Sequence, residues 1–230
     1  MKKIYLLCLV LTPLFCFSES EEVVINVDNI FIPKGFDSND DSEVTLTGYL
    51  PNTCYVRAKA KTDIVGEKIA IEVSATKVND RNCIMAVVPF ILPVKLGVLK
   101  TGTHDISVNT FINSKITIEQ PGSSKIDNFN YANITSVEKV DSTSVLLTGF
   151  HPSSCMEFDK VIMEFNDKND TLSVMPIIKQ NPLHTICDRR AVPFSYVVEI
   201  PKVDQRAAKD KVLVHVRKLD GNAVNILLEE

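Results

Sequence analysis

The chain has no tryptophan and only 8 glycines in 230 residues. Beyond residue 17 it has no apolar run of the 18 to 20 residues that a membrane-spanning helix needs. Without tryptophan there is no indole platform for a sugar ring. No glycine-rich phosphate loop, Gly-x-Ser-x-Gly, His-Glu-x-x-His, His-x-His or Cys-x-x-Cys occurs, so the common nucleophile, metal and nucleotide signatures are missing. The four histidines, His104, His151, His184 and His215, are scattered without ligand spacing and are expected to be structural or solvated. No catalytic residue, cofactor or metal is expected, and the chain reads as non-enzymatic. An excess of basic charge is also missing. Setting aside residues 1–18 leaves 23 Lys and Arg against 29 Asp and Glu, a charge of −6. Nucleic acid is therefore not an expected partner, and an anionic membrane finds no polybasic handle.

What the sequence does have, it has twice. Leu46-Thr47-Gly48-Tyr49-Leu50-Pro51-Asn52-Thr53-Cys54 returns as Leu147-Thr148-Gly149-Phe150-His151-Pro152-Ser153-Ser154-Cys155. Each copy continues to a second cysteine, Cys83 or Cys187, and then to a Pro-Phe pair, Pro89-Phe90 or Pro193-Phe194. The first cysteines lie 101 residues apart, the length of a whole small domain rather than a solenoid unit. Equivalent cysteines at equivalent sites predict one internal bridge per copy, Cys54–Cys83 and Cys155–Cys187. Each would close a loop of about 30 residues, for about 3 to 4 kcal/mol by the chain-entropy estimate.

The N-terminus fits cysteines that pair. Lys2 and Lys3 precede an apolar run from Ile4 to Phe17, and Ser18-Glu19-Ser20-Glu21-Glu22 turns polar. This is the shape of a secretory signal peptide, cleaved after Ser18 or Ser20. Phe15, before Cys16, is too large to favour lipid attachment there. Cys8 and Cys16 leave with the signal, and the mature chain keeps four cysteines for an oxidising periplasm or exterior.

Hydrophobicity alternates with period two. Val44, Leu46 and Gly48 form one inward series. Cys54, Val56, Ala58 and Ala60 form a second, and Ile69, Ile71, Val73 and Ala75 a third. His104, Ile106 and Val108 are expected to close the first copy, and Val23 to Ile32 to open it. The second copy has strand cores at Val145 and Leu147, at Val161 to Phe165, at Leu172 to Ile178 and at Val212 to Val216. Asn166 to Asp170 and Asp220-Gly221-Asn222 read as turns, and Val203 to Lys211 as a helical turn or polar loop. The expected fold is all-β: two tandem Ig-like antiparallel β-sandwich domains, over residues 19–120 and 121–230. Pro121-Gly122-Ser123-Ser124 marks the boundary, and residues 124–230 are expected to fold alone. Pro89 and Pro193 belong at a strand end or sheet edge, with Phe90 and Phe194 plugging the core beside each bridge.

Three further features have functional readings. Asp37, Asn39 and Asp41 alternate oxygen ligands in a manner that suits calcium, against the reading of a solvated acidic loop. Arg81, and Arg189 with Arg190, place guanidinium near each second cysteine, either as an anion-recognising patch or as ordinary surface charge. Asn133 and Asn169 head glycosylation triplets, which carry no meaning in a bacterial chain.

The series Gly-x-x-Pro-x-x-Cys, Cys-x5-Pro-Phe and Gly102-Thr103-His104-Asp105-Ile106-Ser107-Val108-Asn109 resembles secreted bacterial β-sandwich domains of unknown function. The resemblance covers most of copy one, and copy two departs from it after Phe194. It implies a sandwich fold and no activity. A binding or structural protein of the periplasm or exterior is expected, with a protein or envelope component as partner. A secreted inhibitor of a hydrolase, of protease or lysozyme type, is the alternative.

Overall fold

Alternating side chains place Val44 and Leu46 on one side of their strand and Glu43, Thr45 and Thr47 on the other, yet all five are buried. A strand wet on one face cannot do this. Its second face must be covered, and the architecture shows by what.

The structure, a computed structural model, describes residues 20–79, 82–125, 127, 129–184, 186–201 and 211–229, without the side chains of 220 and 229. The signal segment 1–18, Arg81 and the turn expected over 203–210 lie outside the described residues. No α-helix occurs among the described residues. The first module holds β1 (Ser20–Val24), β2 (Val27–Phe31), β3 (Asp41–Leu50), β4 (Tyr55–Val65), β5 (Lys68–Val78), β6 (Val88–Val98), β7 (Gly102–Val108) and β8 (Ile112–Ile118). The second holds β9 (Asn133–Lys139), β10 (Ser144–His151), β11 (Met156–Phe165), β12 (Thr171–Gln180), β13 (Val192–Glu199), β14 (Lys211–Lys218) and β15 (Asn222–Glu229).

Both modules are sandwiches with one topology. A three-stranded sheet, β2-β3-β6 or β9-β10-β13, packs on a larger sheet, β4-β5-β7-β8 or β11-β12-β14-β15. β1 shares an edge of β5 with β7, and its counterpart in module two is the single bridge Tyr131–Ile177. Each module adds one parallel pair, β5–β7 or β12–β14, to the antiparallel frame. The chain leaves β5 for β6 in the opposite sheet and returns beside β5, so β7 must run the same way. Each module has its own core, around Leu46, Ile71 and Ile106 in one and Leu147, Val174 and Val214 in the other.

Several strands differ from the sequence reading. Val23–Ile32 is two strands that switch sheets at Ile25 and Asn26. His104, Ile106 and Val108 do not close their module, because β8 hairpins back, and β15 does the same after β14. The β7–β8 turn hides from a search for glycine because Asn109 and Thr110 take positive φ, 47° and 64°. In β4 a bulge between Val56 and Lys59, with Arg57 at φ 56°, shifts the phase. Tyr55, Ala58 and Ala60 therefore pack on the core, where Val56 had been expected.

The modules stack sheet on sheet. The outer face of β2-β3, with Phe31, Glu43, Thr45 and Thr47 buried, meets the outer face of β12-β14-β15, with Ser173, Leu213, His215 and Arg217 buried. Contacts fix the direction. Lys211 reaches the Tyr49 hydroxyl at 3.4 Å, Asn225 on β15 donates to Glu43 at 2.8 Å, and Arg217 meets Asp40 at 3.2 Å. Hence β14 runs antiparallel over β3. Since β14 parallels β12, whose end meets Cys155 through the Asn181 amide, the two cysteine ends point in opposite directions.

Candidate functional site: the disulfide-tethered loops

The repeated motif builds the same corner twice. Gly48 pairs across the sheet with Phe90, and Gly149 with Phe194. A Cβ at Gly48 would lie 2.5 Å from the Asn26 carbonyl oxygen and 2.9 Å from the Phe90 ring. At Gly149 the Asn133 carbonyl and the Phe194 ring stand in the same places. Leu-Thr-Gly and Pro-Phe are therefore one device, an aromatic ring laid over a bare backbone where the first strand bulges in. Pro89 and Pro193 sit in the edge strands β6 and β13, where a missing N–H costs no internal ladder bond. Beyond the glycine, the Cys54 amide donates to Asn52 Oδ1 at 2.9 Å and the Cys155 amide to Ser153 Oγ at 3.2 Å. These turns deliver each first cysteine to its partner. Cys54 is bonded to Cys83 and Cys155 to Cys187, each pair with Cα atoms 5.3 Å apart.

What the bridges hold is exposed and apolar. In residues 82–87, Ile84, Met85 and Val87 are 69, 84 and 68% exposed. The backbone there is nonetheless pinned. The Ile84 amide donates to Thr53 Oγ1 at 2.9 Å, its carbonyl accepts from the Thr53 amide at 3.2 Å, and the Ala86 amide donates to the same carbonyl at 2.8 Å. Met85 thus stands at the centre of a three-residue turn, beside a disulfide. No charged residue occurs from Asn82 to Val94. The second loop also exposes two large apolar side chains, Leu183 and Ile186. It is pinned by the Asp188 amide on Ser154 Oγ at 3.4 Å and by His184 Nδ1 against the Ser154 carbonyl at 3.2 Å. This loop is charged. The Ser154 hydroxyl and Arg190 hold Asp188 below the usual carboxylate range.

The sequence candidates fall elsewhere. Asp37 Oδ1 accepts the Asn39 amide at 2.8 Å, the Asn39 side chain donates to the Ser123 carbonyl at 2.8 Å, and Asp41 pairs with Lys95 at 3.1 Å. Each intended calcium ligand thus serves a turn or a surface pair, and no group of three such ligands forms among the described residues. Arg189 and Arg190 are exposed, and Arg190 pairs with Asp188 at 3.6 Å. Asn133 begins β9, and Asn169 takes φ 55° in the turn before β12. His104 Nε2 donates to the Lys100 carbonyl, 2.7 Å away. His151 is buried against Phe158 and Phe194, and that burial lowers its pKa.

A second cluster, between the modules, has no counterpart in the sequence reading. Arg217 donates to the Gly35 carbonyl at 2.6 Å, meets Asp40 at 3.2 Å, and lies 4.5 Å from the Phe36 ring centroid. His215 Nδ1 is 2.8 Å from Asn225 Oδ1, and Asn225 Nδ2 donates to Glu43. Burial raises the carboxyls of Asp40 and Glu43, although Arg217 opposes the first shift and Asn225 the second. The available signal was Leu213 on a face that alternation assigns to solvent.

Comparison with known proteins adds one match. The model of a family described as the ORF11 beta-sandwich domain matches residues 44–118, from within β3 to the end of β8. No curated protein and no solved structure matches the chain. Module one is therefore similar, over most of its strands, to the ORF11 beta-sandwich domain family.

Proposed function

We propose that the protein is a non-enzymatic binding or structural protein of the periplasm or cell exterior, made by duplication of one sandwich module, that meets its partner through the disulfide-tethered loops. Two buried-end disulfides suit an oxidising compartment, and the polar break after Phe17 suits export. The observation that carries the reading is the first loop. Three aliphatic side chains stand in solvent on a backbone that is already ordered, so binding them costs little conformational entropy. An ordered apolar knob is what a partner cleft selects as an anchor.

The experiment is a capture from envelope extract under non-reducing conditions, run side by side with the wild type and the triple variant I84D/M85D/V87D. The expected result is one partner held by the wild type and lost by the variant, with both chains equally folded by circular dichroism. Equal capture by both would remove the loop as the site. A second reading rests on the same pinned turn. A braced three-residue turn with Met85 outermost has the form of an inhibitor's insert into a hydrolase cleft. Inhibition of a protease or lysozyme by the wild type, lost in M85D, would select that reading over an envelope-binding module.

A further inference from the structure

We propose that the first tethered loop is a lipid anchor, whose Ile84, Met85 and Val87 enter the interface of a bilayer and hold module one against it. The proposal rests on the reading that this loop is the contact site, and it names a lipid surface rather than a protein cleft as what the loop meets. Protein interfaces draw most of their binding energy from Trp, Tyr and Arg, set within a polar rim. Residues 82–87 contain none of the three and present aliphatic side chains instead. No charged residue occurs from Asn82 to Val94, nor from Val44 to Val56 along β3 and the turn that holds the loop. A bilayer also favours backbone groups that are already satisfied, because hydrocarbon offers no hydrogen bonds. Here the Ile84 amide and carbonyl both bond to Thr53, and the Ala86 amide bonds to the same carbonyl. Beyond the loop, Pro89, Ile91 and Tyr49 line one cleft with Lys211, whose ammonium lies 3.4 Å from the Tyr49 hydroxyl. Tyrosine and lysine beside an apolar tip are side chains that settle at headgroup level.

The duplication supplies an internal control. The second loop is tethered at the same corner and exposes Leu183 and Ile186, but Asp188, Arg189 and Arg190 follow at once. Asp188 accepts from Ser154 and pairs with Arg190, so its charge stands beside the apolar tip and opposes entry into hydrocarbon. The corner itself therefore does not require an uncharged loop, and the absence of charge belongs to copy one. Because the two cysteine ends point in opposite directions, a bilayer at the first loop leaves the second in water. Three aliphatic side chains give reversible attachment, on the order of the 10⁴ M⁻¹ of a single acyl chain or weaker. With a net charge of −6 beyond residue 18, anionic lipid adds nothing to it.

The test is flotation of the purified mature chain, bridges intact, with phosphatidylcholine vesicles at about 0.1 and 1 M salt. The wild type is expected to float at both, since apolar insertion is not screened. I84D/M85D/V87D should partition at least about tenfold more weakly. M85W gives a chain that lacks tryptophan a single indole at the tip. Its emission should shift to the blue when vesicles are added, with the circular dichroism spectrum unchanged. I186W, its counterpart on the second loop, should keep the emission of an indole in water. The lipid anchor is overturned by a wild type that does not float, or by an M85W emission that does not move or moves no more than that of I186W. It is equally overturned by flotation that needs phosphatidylglycerol and fails at high salt, or by equal flotation of the triple variant. If the wild type does not float and the triple variant still loses its partner in the envelope capture, the loop stands as the contact site and its partner is a protein.

Discussion

At Gly48 and Gly149 a single hydrogen in place of a methyl group lets the first strand and a phenylalanine ring close over the backbone. G48A and G149A are each expected to cost about 1 to 3 kcal/mol in urea unfolding, because neither a carbonyl nor a packed ring yields cheaply. The repetition of Leu-Thr-Gly and Pro-Phe was plain in the sequence. Their mutual contact was not, because about 40 residues separate them and only the β3–β6 pairing brings them together. His151 teaches the converse. It replaces Leu50 of copy one, and its buried Nδ1 has no hydrogen-bond partner among the described residues. Burial holds its pKa below 6.5, so the stability it permits is present above pH 6.5 and lost as pH falls through that value. H151L should stabilise the fold by about 1 kcal/mol at neutral pH, and by more at pH 5. Equal or lower stability at both pH values would show that the imidazole is better accommodated than its packing implies.

Among elements, the bridged corners matter most. Replacing Cys54 and Cys83 together by serine is expected to cost about 3 to 4 kcal/mol, since each bridge closes a loop of about 30 residues. The same variant should become sensitive to proteolysis near Met85, while the wild type resists until globally unfolded. Non-reducing peptide mapping should return Cys54–Cys83 and Cys155–Cys187 and no link between modules. Strands with strict alternation, such as β5 and β7, could be read directly from the sequence. β4 could not be phased, because the bulge at Arg57 inserts a residue that no propensity marks. β8 was missed because its turn at Asn109 and Thr110 lacks glycine, and β15 because weak alternation after the Asp220-Gly221-Asn222 turn leaves little local signal.

At the scale of the molecule, the two copies differ most where they touch. Register places Leu213, His215 and Arg217 of β14 at the positions of Asp105, Ser107 and Asn109 in and after β7. One copy keeps a wet sheet there, and the other offers a docking face. R217A should destabilise the full chain by about 3 to 5 kcal/mol, because Asp40 is left buried without its cation. Joint replacement of Arg217 and Asp40 by apolar residues of similar size should cost far less, and urea unfolding separates the two cases. Residues 124–230 expressed alone keep their own core but expose Leu213, which lies on the face that module one covers in the whole chain. Concentration-dependent association of this fragment in sedimentation is expected, relieved by L213D.

The sequence by itself determined the β class, the duplication, the cysteine pairing and the period-two cores. Each of these follows from local alternation or from a repeat that needs no third dimension to be seen. Only the tertiary structure decided the parallel strand in each module, the ring over each glycine and the cluster around Arg217. It also decided that the two cysteine loops point in opposite directions. These depend on which faces meet across long stretches of chain, and a face's partner is not written in the residues next to it.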